Sequence, residues 1–277
     1  MEKRIAIQGY EGSFHQEAAN YFFGGEVTVV PCKTFRETVK ISSDKKLSDG
    51  GIMAIENSTA GSILPNYNLL QKSSLHVIGE IYLQIKQNLI VYPGVRHEDL
   101  REVHSHPMAL LQCMDFLEKH DWKLVETDDT ALSVKIIHQH HSKHAAAIAG
   151  RLAAKLYDMD ILVPNIHTLK NNYTRFLILQ RGDKIEKIDN PNKASLYFQT
   201  DHSKGSLARV LTKIAEGGVN LTKLQSFPIP DTDWKYSFYV DMEFTTLEQF
   251  NRVVDSIIKI TEKLKVYGIY KKGITIR

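Results

Sequence analysis

The stretch that decides the fold is Arg4-Ile-Ala-Ile-Gln-Gly-Tyr-Glu-Gly-Ser13, which runs directly into Phe14-His-Gln-Glu-Ala-Ala19. A short apolar run followed by glycines, and then by a serine at the start of a helical pattern, is typical of a strand joined to a helix. The same alternation of short apolar runs and helical patterns continues to about residue 182. We therefore predict an α/β fold for this part of the chain.

The periodicity predicts where the elements of this part lie. Ser13 with Gln16, and Thr34 with Glu37, have the spacing of capping boxes and mark helix starts. The alanine-rich segment Ala145–Leu156 favours a helix. The predicted strands are Arg4–Gln8, Val27–Val30, Gly51–Ile55, Asn88–Val91, Glu102–Ser105, Lys123–Val125 and Thr174–Gln180.

A second, smaller pattern follows a polar segment that contains Asn190-Pro191, and residues 184–193 are predicted to be a linker. Two strand–helix–strand units joined by a hairpin indicate a ferredoxin-like (βαββαβ) arrangement. Its predicted strands are Ala194–Thr200, Val219–Phe227, Lys235–Phe244 and Val266–Tyr270, and its predicted helices are Lys204–Glu216 and Leu247–Lys263.

Composition excludes several classes of protein. The 277 residues carry 35 basic and 32 acidic side chains, a net charge of +3, without a basic block, so no nucleic acid is expected as a partner. No secretory signal or apolar membrane span is visible, and two cysteines are too few for a disulfide framework. We expect a cytosolic (cytoplasmic) protein without a membrane partner.

Four segments place polar residues where a predicted strand meets the next element, which is where open α/β sheets bind ligands. Each segment alone also fits a structural role: a glycine turn with a serine cap, a polar turn, a histidine cap or a surface ion pair. The segments are Gly9-Tyr-Glu-Gly-Ser-Phe-His15, Glu56-Asn-Ser-Thr-Ala-Gly61, Ser105-His-Pro-Met-Ala-Leu-Leu-Gln112 and Asn172-Tyr-Thr-Arg-Phe176.

A group of histidines, His138, His140, His141 and His144, raises the question of a metal site. Their spacing spreads them around a helix, and neither Cys nor an obvious acidic partner joins them. We therefore expect no metal and no cofactor, and interpret this group as a solvated helix surface.

Together, and in this order, the four segments resemble the signatures of the prephenate dehydratase family. The resemblance implies a two-lobed α/β catalytic domain, similar to the type II periplasmic binding proteins, over residues 1–183, with the chain crossing between lobes near residue 80 and returning near residue 165. It also implies that residues 194–277 form an ACT domain, a ferredoxin-like module that binds amino acids.

The implied reaction removes water and carbon dioxide from prephenate. Thr174 is expected to donate a hydrogen bond to the departing hydroxyl group, Glu56 is the rival proton donor, and Arg175 is expected to hold a carboxylate. In a strand, however, Asn172 and Thr174 point one way and Tyr173 and Arg175 the other, unless entry into the strand breaks the alternation. The remaining expected substrate-binding residues are Asn172, Ser13, Asn57, Ser58, Ser105, Gln112, Phe176 and Thr130.

For the ACT domain the resemblance implies phenylalanine as an effector and a homodimer or homotetramer. The expected effector-binding residues are Gly205, Ser206, Leu207, Ala208, Asn220, Leu221, Gln225 and Ser226. Where the family usually shows Glu-Ser-Arg-Pro, this chain has Gln225-Ser-Phe-Pro228. The change removes a carboxylate and an arginine, so the strength and sign of phenylalanine control are left open.

Two other functions stay open on the sequence. Arogenate dehydratase performs the same elimination on the transaminated substrate, and the sequence does not separate the two. A two-lobed receptor without chemistry, binding an amino acid or a dicarboxylate, is the alternative from a different class.

Overall fold

A computed structural model describes residues 3–184, 188–229, 231–232 and 235–277. The chain forms two compact units. The first comprises Met1–Leu69, Ile81–Ile178 and Thr275–Arg277, and the second comprises Leu70–Glu80 and Leu179–Ile274. Part of the predicted linker, residues 185–187, lies outside the described residues, and the predicted bounds at 183 and 194 stay a prediction.

The described residues alternate strands and helices. The strands in chain order are β1 (Arg4–Gln8), β2 (Thr28–Cys32), β3 (Gly50–Asn57), β4 (Gly61–Ser62), β5 (Leu75–Gln84), β6 (Asn88–Val91), β7 (Glu102–Ser105), β8 (Lys123–Glu126), β9 (Ala145–Ala149), β10 (Asp160–Val163), β11 (Tyr173–Arg181), β12 (Lys193–Gln199), β13 (Asn220–Pro228), β14 (Tyr236–Glu243), β15 (Lys263–Tyr270) and β16 (Thr275–Ile276). The helices are α1 (Phe14–Phe23), α2 (Phe35–Ser43), α3 (Leu64–Lys72), α4 (Pro107–Gln112), α5 (Met114–Leu117), α6 (Thr130–His140), α7 (Arg151–Leu156), α8 (Ser206–Glu216) and α9 (Leu247–Ile257).

The first unit contains most of two sheets. One has the order β16-β5-β11-β3-β1-β2, with β4 paired to β3, and the other has the order β10-β6-β9-β7-β8. The chain passes from the first sheet to the second between Gln84 and Asn88 and returns between Val163 and Tyr173. Because β1 and β3 are parallel, their carboxyl ends lie at one edge, which brings the glycine turn after β1 close to Asn57.

The alanine-rich segment is a strand and not the start of a helix, so that prediction was wrong. All five residues of β9 are buried between β6 and β7. Ala146 and Ile148 belong to the apolar cluster on one face of the sheet, and the other three alanines belong to the cluster on the opposite face. Burial on both faces overrides the helix propensity of alanine, and the helix α7 begins only at Arg151.

Helix ends also differ from the predictions. Ser13 precedes α1 but its side chain caps nothing, and Gln16 Oε1 instead accepts from the backbone of Gly12 at 2.7 Å. Thr34 does cap α2, because its hydroxyl accepts from the Glu37 N–H at 3.2 Å. The last long helix, α9, was predicted to reach Lys263 but ends at Ile257. Lys263 is instead the first residue of β15.

The second unit contains a sheet of order β13-β14-β12-β15 with α8 and α9, which is the ferredoxin-like arrangement. One face of the sheet packs on the helices through an apolar cluster that includes Leu196, Val210 and Val253. On β12, Lys193 is buried and forms an ion pair with Glu80 at 2.9 Å. Both residues of this ion pair belong to the second unit.

None of the helices within the described residues is long and apolar enough to cross a membrane.

Two glycines allow a matched test of the turn between β1 and α1. Gly12 has a φ of +88°, and a Cβ there would lie 2.8 Å from the Cα of Ala153, whereas Gly24 has a φ of +72° and open space around it. We expect Gly24→Ala to cost about 1–2 kcal/mol through backbone strain. Gly12→Ala is expected to cost about 1–3 kcal/mol more, because the backbone of α7 must also move. Urea unfolding of both variants checks this, and equal losses would contradict the close approach.

Candidate active site

A cavity of about 370 Å³ lies in the first unit where loops from both sheets meet. Its volume falls in the range of small-ligand sites. The turn after β1, the start of α1, the end of β3 and the beginning of β11 form one side. The starts of α4 and α6 form the other.

Ser13 stands at the N-terminus of α1 with its side chain against this cavity. The residue is 4% exposed, and its hydroxyl has no hydrogen-bond partner in the described part of the chain. The first backbone N–H groups of a helix have no partners within the helix and carry a partial positive charge. The start of α1 therefore offers a hydroxyl and backbone donors to an anion in the cavity.

Asn57 joins the end of β3 to the beginning of β11. Its Nδ2 donates to Asn172 Oδ1 at 2.7 Å, to Thr174 Oγ1 at 3.0 Å and to the carbonyl of Tyr173 at 3.2 Å. Its Oδ1 accepts from the backbone N–H groups of Thr59 and Ala60 at 2.9 and 2.8 Å. The amino end of this amide thus holds β11 to the end of β3, and its carbonyl end fixes the local turn.

Ser58 closes the same junction from the other side. Its hydroxyl donates to the carbonyl of Asn171 at 3.1 Å and accepts from the N–H of Tyr173 at 2.9 Å. It also donates its own backbone N–H to the Tyr173 carbonyl at 2.8 Å. Ser58 therefore positions the strand that carries Thr174 and does not itself line the cavity.

Thr174 and Phe176 line the cavity, while Arg175 does not. The alternation of a strand explains this, because neighbouring side chains point to opposite faces. The Arg175 guanidinium lies 5.8 Å from the centre of the Tyr82 ring, and the residue is 4% exposed. The position differs from the expectation that Arg175 grips a carboxylate in this cavity.

Two further residues are also away from the cavity wall. Ser105, expected from the sequence to bind substrate, is fully buried, and its hydroxyl donates to the carbonyl of Ile148 in β9 at 2.6 Å. It ties two strands together and does not line the cavity. Glu56 is half-buried at the end of β3, opposite Ser62 of β4. At this point β3 pairs with the antiparallel strand β4. Asn57, the next residue, lines the cavity and Glu56 does not.

Gln112 at the end of α4 and Thr130 at the start of α6 do line the cavity. Beside them stands His106, whose Nδ1 accepts from the Met108 N–H at 3.2 Å, so it is a helix cap that also faces the cavity. Asp129 caps α6 through hydrogen bonds to its Oδ1. Burial raises the pKa of Asp129, against the lowering effect of those backbone donors.

His15 and Asp129 are cavity residues to which the sequence analysis gave no role. The His15 ring packs edge-on against Phe176, with 5.0 Å between ring centres, and its Nε2 accepts from the Ala54 N–H at 3.4 Å. Burial lowers the pKa of His15 to about 4, so the ring is neutral at pH 7. The sequence signal that could have identified His15 is its position two residues after Ser13, in the first turn of α1.

The four histidines near residue 140 lie on and after the last turn of α6, and His140, His141 and His144 are exposed. Across the described residues, no three His, Cys, Asp or Glu side chains come close enough to hold a metal ion.

The residues expected to bind an effector belong to the second unit. Gly205 precedes α8 with a φ of +78°, and Ser206 donates to Thr200 at 3.1 Å. Leu207 packs on the apolar cluster, and Ala208 is exposed. The other members lie on β13, which pairs only with β14 in the described sheet; these are Asn220, Leu221, Gln225 and Ser226.

Comparison with known proteins identifies the family. Residues 5–184 match the family model described as prephenate dehydratase. The chain is 34% identical to arogenate dehydratase 2 of Petunia hybrida, over 96% of this chain and 71% of that protein. This chain belongs to the prephenate dehydratase family.

Other relatives agree with this assignment. A bifunctional chorismate mutase/prephenate dehydratase of Buchnera aphidicola is 34% identical over 86% of this chain and 62% of its own length. Prephenate dehydratase of Arthrobacter aurescens, solved in complex with L-Phe, superposes with a TM-score of 0.82 at 22% identity, covering 97% and 90% of the two chains. The predicted two-lobed α/β fold with a ferredoxin-like module is confirmed.

A third solved structure carries a different description. GqqA, described as a novel type of quorum quenching acylase, has a TM-score of 0.87 and 27% identity, covering 98% of both chains.

The lowered pKa of His15 predicts a specific pH dependence of stability. The unfolded chain binds a proton at His15 below about pH 6.5, while the folded protein does so only near pH 4. This residue should therefore reduce the free energy of unfolding as pH falls through that window, by up to about 3 kcal/mol. Urea unfolding of His15→Gln from about pH 7 to about pH 4 should show a shallower fall than the wild type. The exposed control His140→Gln should follow the wild type, and parallel curves for all three proteins would contradict the shift.

Proposed function

We propose that this chain converts prephenate to phenylpyruvate, with loss of water and carbon dioxide. The observation that carries the proposal is the position of Thr174 on the cavity wall, with its Oγ1 accepting a hydrogen bond from Asn57. A hydroxyl group has one hydrogen to donate. Because Asn57 occupies the acceptor side, the Thr174 hydrogen is available to a ligand.

The chemistry of the reaction explains why such a donor matters. The ring carboxylate leaves as carbon dioxide, its electron pair enters the ring, and the hydroxyl group on the opposite ring carbon departs with a proton as water. Aromaticity favours the products, so the barrier lies in the departure of hydroxide. A threonine hydroxyl is too weak an acid to give up its proton outright, and Thr174 acts here as a hydrogen-bond donor or relay.

The carboxyl groups that line the cavity are Asp128 and Asp129. Glu56, the rival acid expected from the sequence, is not among them. Asp129 has a pKa raised by burial, which favours the protonated form that an acid requires. It therefore replaces Glu56 as the competitor to Thr174.

In this proposal the start of α1 binds the anionic group of the substrate. Of the described residues that line the cavity, none is Lys or Arg. The unpartnered hydroxyl of Ser13 and the backbone donors after it are the groups suited to one of the two carboxylates. Hydrogen bonds to a charged group contribute about 1.5–3 kcal/mol each.

The likeness to GqqA raises acyl-amide hydrolysis as a second candidate. That reaction needs a nucleophile hydrogen-bonded to a general base. The hydroxyl of Ser13 has no such base within hydrogen-bond distance in the described part of the chain, and Thr174 Oγ1 receives an amide donor. The cavity is therefore better suited to elimination than to acyl transfer.

We further propose that residues 1–183 are the catalytic domain and that residues 194–277 are an ACT domain that senses phenylalanine. The complex of the Arthrobacter aurescens enzyme with L-Phe and the ferredoxin-like order of the sheet support this proposal. The strand β13 is an edge in the described sheet, and Leu224 on it is 42% exposed. An exposed edge suits pairing with a second copy of the chain, as a homodimer or homotetramer requires. A cytoplasmic location stays a prediction.

Replacing the donor tests the proposed reaction. Thr174→Ala should lower kcat for prephenate by about 10²–10⁴-fold, because the leaving hydroxyl group loses its donor. Thr174→Ser, which keeps the hydroxyl, should retain most of the activity. Glu56→Gln and Asp129→Asn should lose less than Thr174→Ala, and Asn at position 129 still caps α6.

The measurement is the ultraviolet absorbance of phenylpyruvate formed from prephenate, followed across pH for each variant. A larger loss for Asp129→Asn or Glu56→Gln, together with loss of the acid limb of the profile, would move the donor role from Thr174 to that residue. Absence of phenylpyruvate with the wild type, alongside tight binding of prephenate, would make the protein a receptor.

The effector proposal has its own test. Asn220 is exposed at the start of β13, and Asn220→Ala should weaken L-phenylalanine binding about 10-fold or more if its amide contacts the ligand. Calorimetric titration measures this, with the exposed helix residue Thr212 changed to alanine as the control. Equal affinities for Asn220→Ala and the wild type would remove Asn220 from the effector site.

A further inference from the structure

A second, smaller cavity of about 280 Å³ adjoins the candidate active site. Three residues, Ala60, Met108 and Gln112, line both cavities. Asn172 lines the smaller one, two residues before Thr174, which lines the larger one. The two hollows are thus neighbouring compartments in the same unit, and a ligand held at Thr174 can extend into the second.

His167 is the residue that gives this side cavity its chemistry. The imidazole lines the cavity, and the residue is 2% exposed. Its Nδ1 accepts a hydrogen bond from the backbone N–H of Gln87 at 3.3 Å. Burial, and then the charge of Lys170, lower the pKa of His167. A neutral ring that accepts at Nδ1 carries its proton on Nε2.

That proton has no acceptor within the described residues, because His167 Nε2 is buried without a hydrogen-bond partner. Buried polar groups in native proteins are nearly always paired, so an orphan donor against a cavity calls for an acceptor from the cavity's contents. The amide of Asn172 adds a second donor, since Asn57 occupies its Oδ1 and leaves its Nδ2 for a ligand.

The carboxylate in the side cavity is Asp115, which is exposed to solvent. Water and salt screen an exposed charge, whereas the buried donor of His167 acts in a medium of low dielectric constant. Leu111, Leu169 and Met108 supply apolar walls. The compartment is therefore shaped for a short carbon chain that ends in hydrogen-bond acceptors.

We propose that the side cavity receives the three-carbon side chain of the substrate and selects a keto acid over the corresponding amino acid, with His167 Nε2–H donating to the keto oxygen. This inference rests on the proposed function, and it makes prephenate the preferred substrate over arogenate. In the amino acid an ammonium group takes the place of the keto oxygen, so the buried donor of His167 would lose its acceptor and face a second donor instead. That is the kind of mismatch that a polar site rejects most strongly.

Two variants of His167 distinguish the roles of its two ring nitrogens. In His167→Asn the side-chain oxygen can still accept from Gln87, near the position of Nδ1, but the donor at Nε2 is lost. In His167→Gln the longer side chain can return a donor near the Nε2 position. His144→Gln is the matched control, because it removes an exposed imidazole of the same unit.

We expect His167→Asn to raise KM for prephenate about 3- to 10-fold, with kcat within a factor of about three, because the keto oxygen loses its buried donor. Turnover of arogenate should change less, so the ratio of kcat/KM for prephenate to that for arogenate should fall. His167→Gln should recover part of the loss, His144→Gln should match the wild type, and the melting temperature of His167→Asn should stay close to the wild-type value.

Equal losses on both substrates would overturn the selection of the keto acid, and unchanged KM values in His167→Asn would overturn contact with the substrate. A wild-type protein that converts neither substrate would refute the proposed function instead. In that case calorimetric titration with phenylpyruvate tests whether the side cavity binds a keto acid. Weaker binding to His167→Asn than to His144→Gln supports the cavity as a keto-acid site, and equal binding overturns it.

Discussion

The candidate site depends on the amide group of Asn57. One side chain connects the end of β3 with the beginning of β11, two segments more than a hundred residues apart in the chain. Its carbonyl oxygen fixes the turn that follows β3, and its amino group fixes Asn172 and Thr174. The Asn57 amide has six hydrogen-bond contacts, three at each end, so the loop after β3 and the strand β11 are geometrically coupled. The direction of the Thr174 hydroxyl is a consequence of that coupling.

The alternation of side chains along β11 sets what each residue of the motif Asn172-Tyr-Thr-Arg-Phe176 can do. Asn172 and Thr174 lie on the side of the two cavities, and Arg175 lies on the other face, against Tyr82. The chemical suitability of arginine for a carboxylate is real, but a side chain cannot act on a cavity that it does not face. The alternation was visible in the sequence, and the structure shows which of the two faces is turned toward the cavities.

Much of the site was predictable from the sequence because the four polar segments, taken together, resemble the signatures of one family, and because strands and helices have distinct periodicities. The α/β alternation, the ferredoxin-like module and the cavity positions of Ser13, Asn57, Gln112 and Thr174 were predictable in this way. The roles of Ser105 and β9 were not. The hydroxyl of Ser105 is used by a neighbouring strand, and the alanines of β9 are buried on two faces. Both facts depend on which strands become neighbours, and this is a tertiary property that local patterns do not contain.

Neutral donors, rather than cations, line the candidate site, and the proposed reaction gives this a physical reason. The substrate is a dianion, and one of its carboxylates must lose its charge on the way to carbon dioxide. A guanidinium clamped on that carboxylate would stabilise the ground state more than the transition state and would slow the step. Hydroxyl, amide, imidazole and helix-terminal N–H groups hold an anion less tightly. They can still orient the substrate, because buried neighbours fix their positions. The described lining of the larger cavity has no Lys or Arg, although Asp128 and Asp129 are present. The side chain of the ligand is therefore recognised by hydrogen-bond donors, which distinguish an acceptor from an ammonium group.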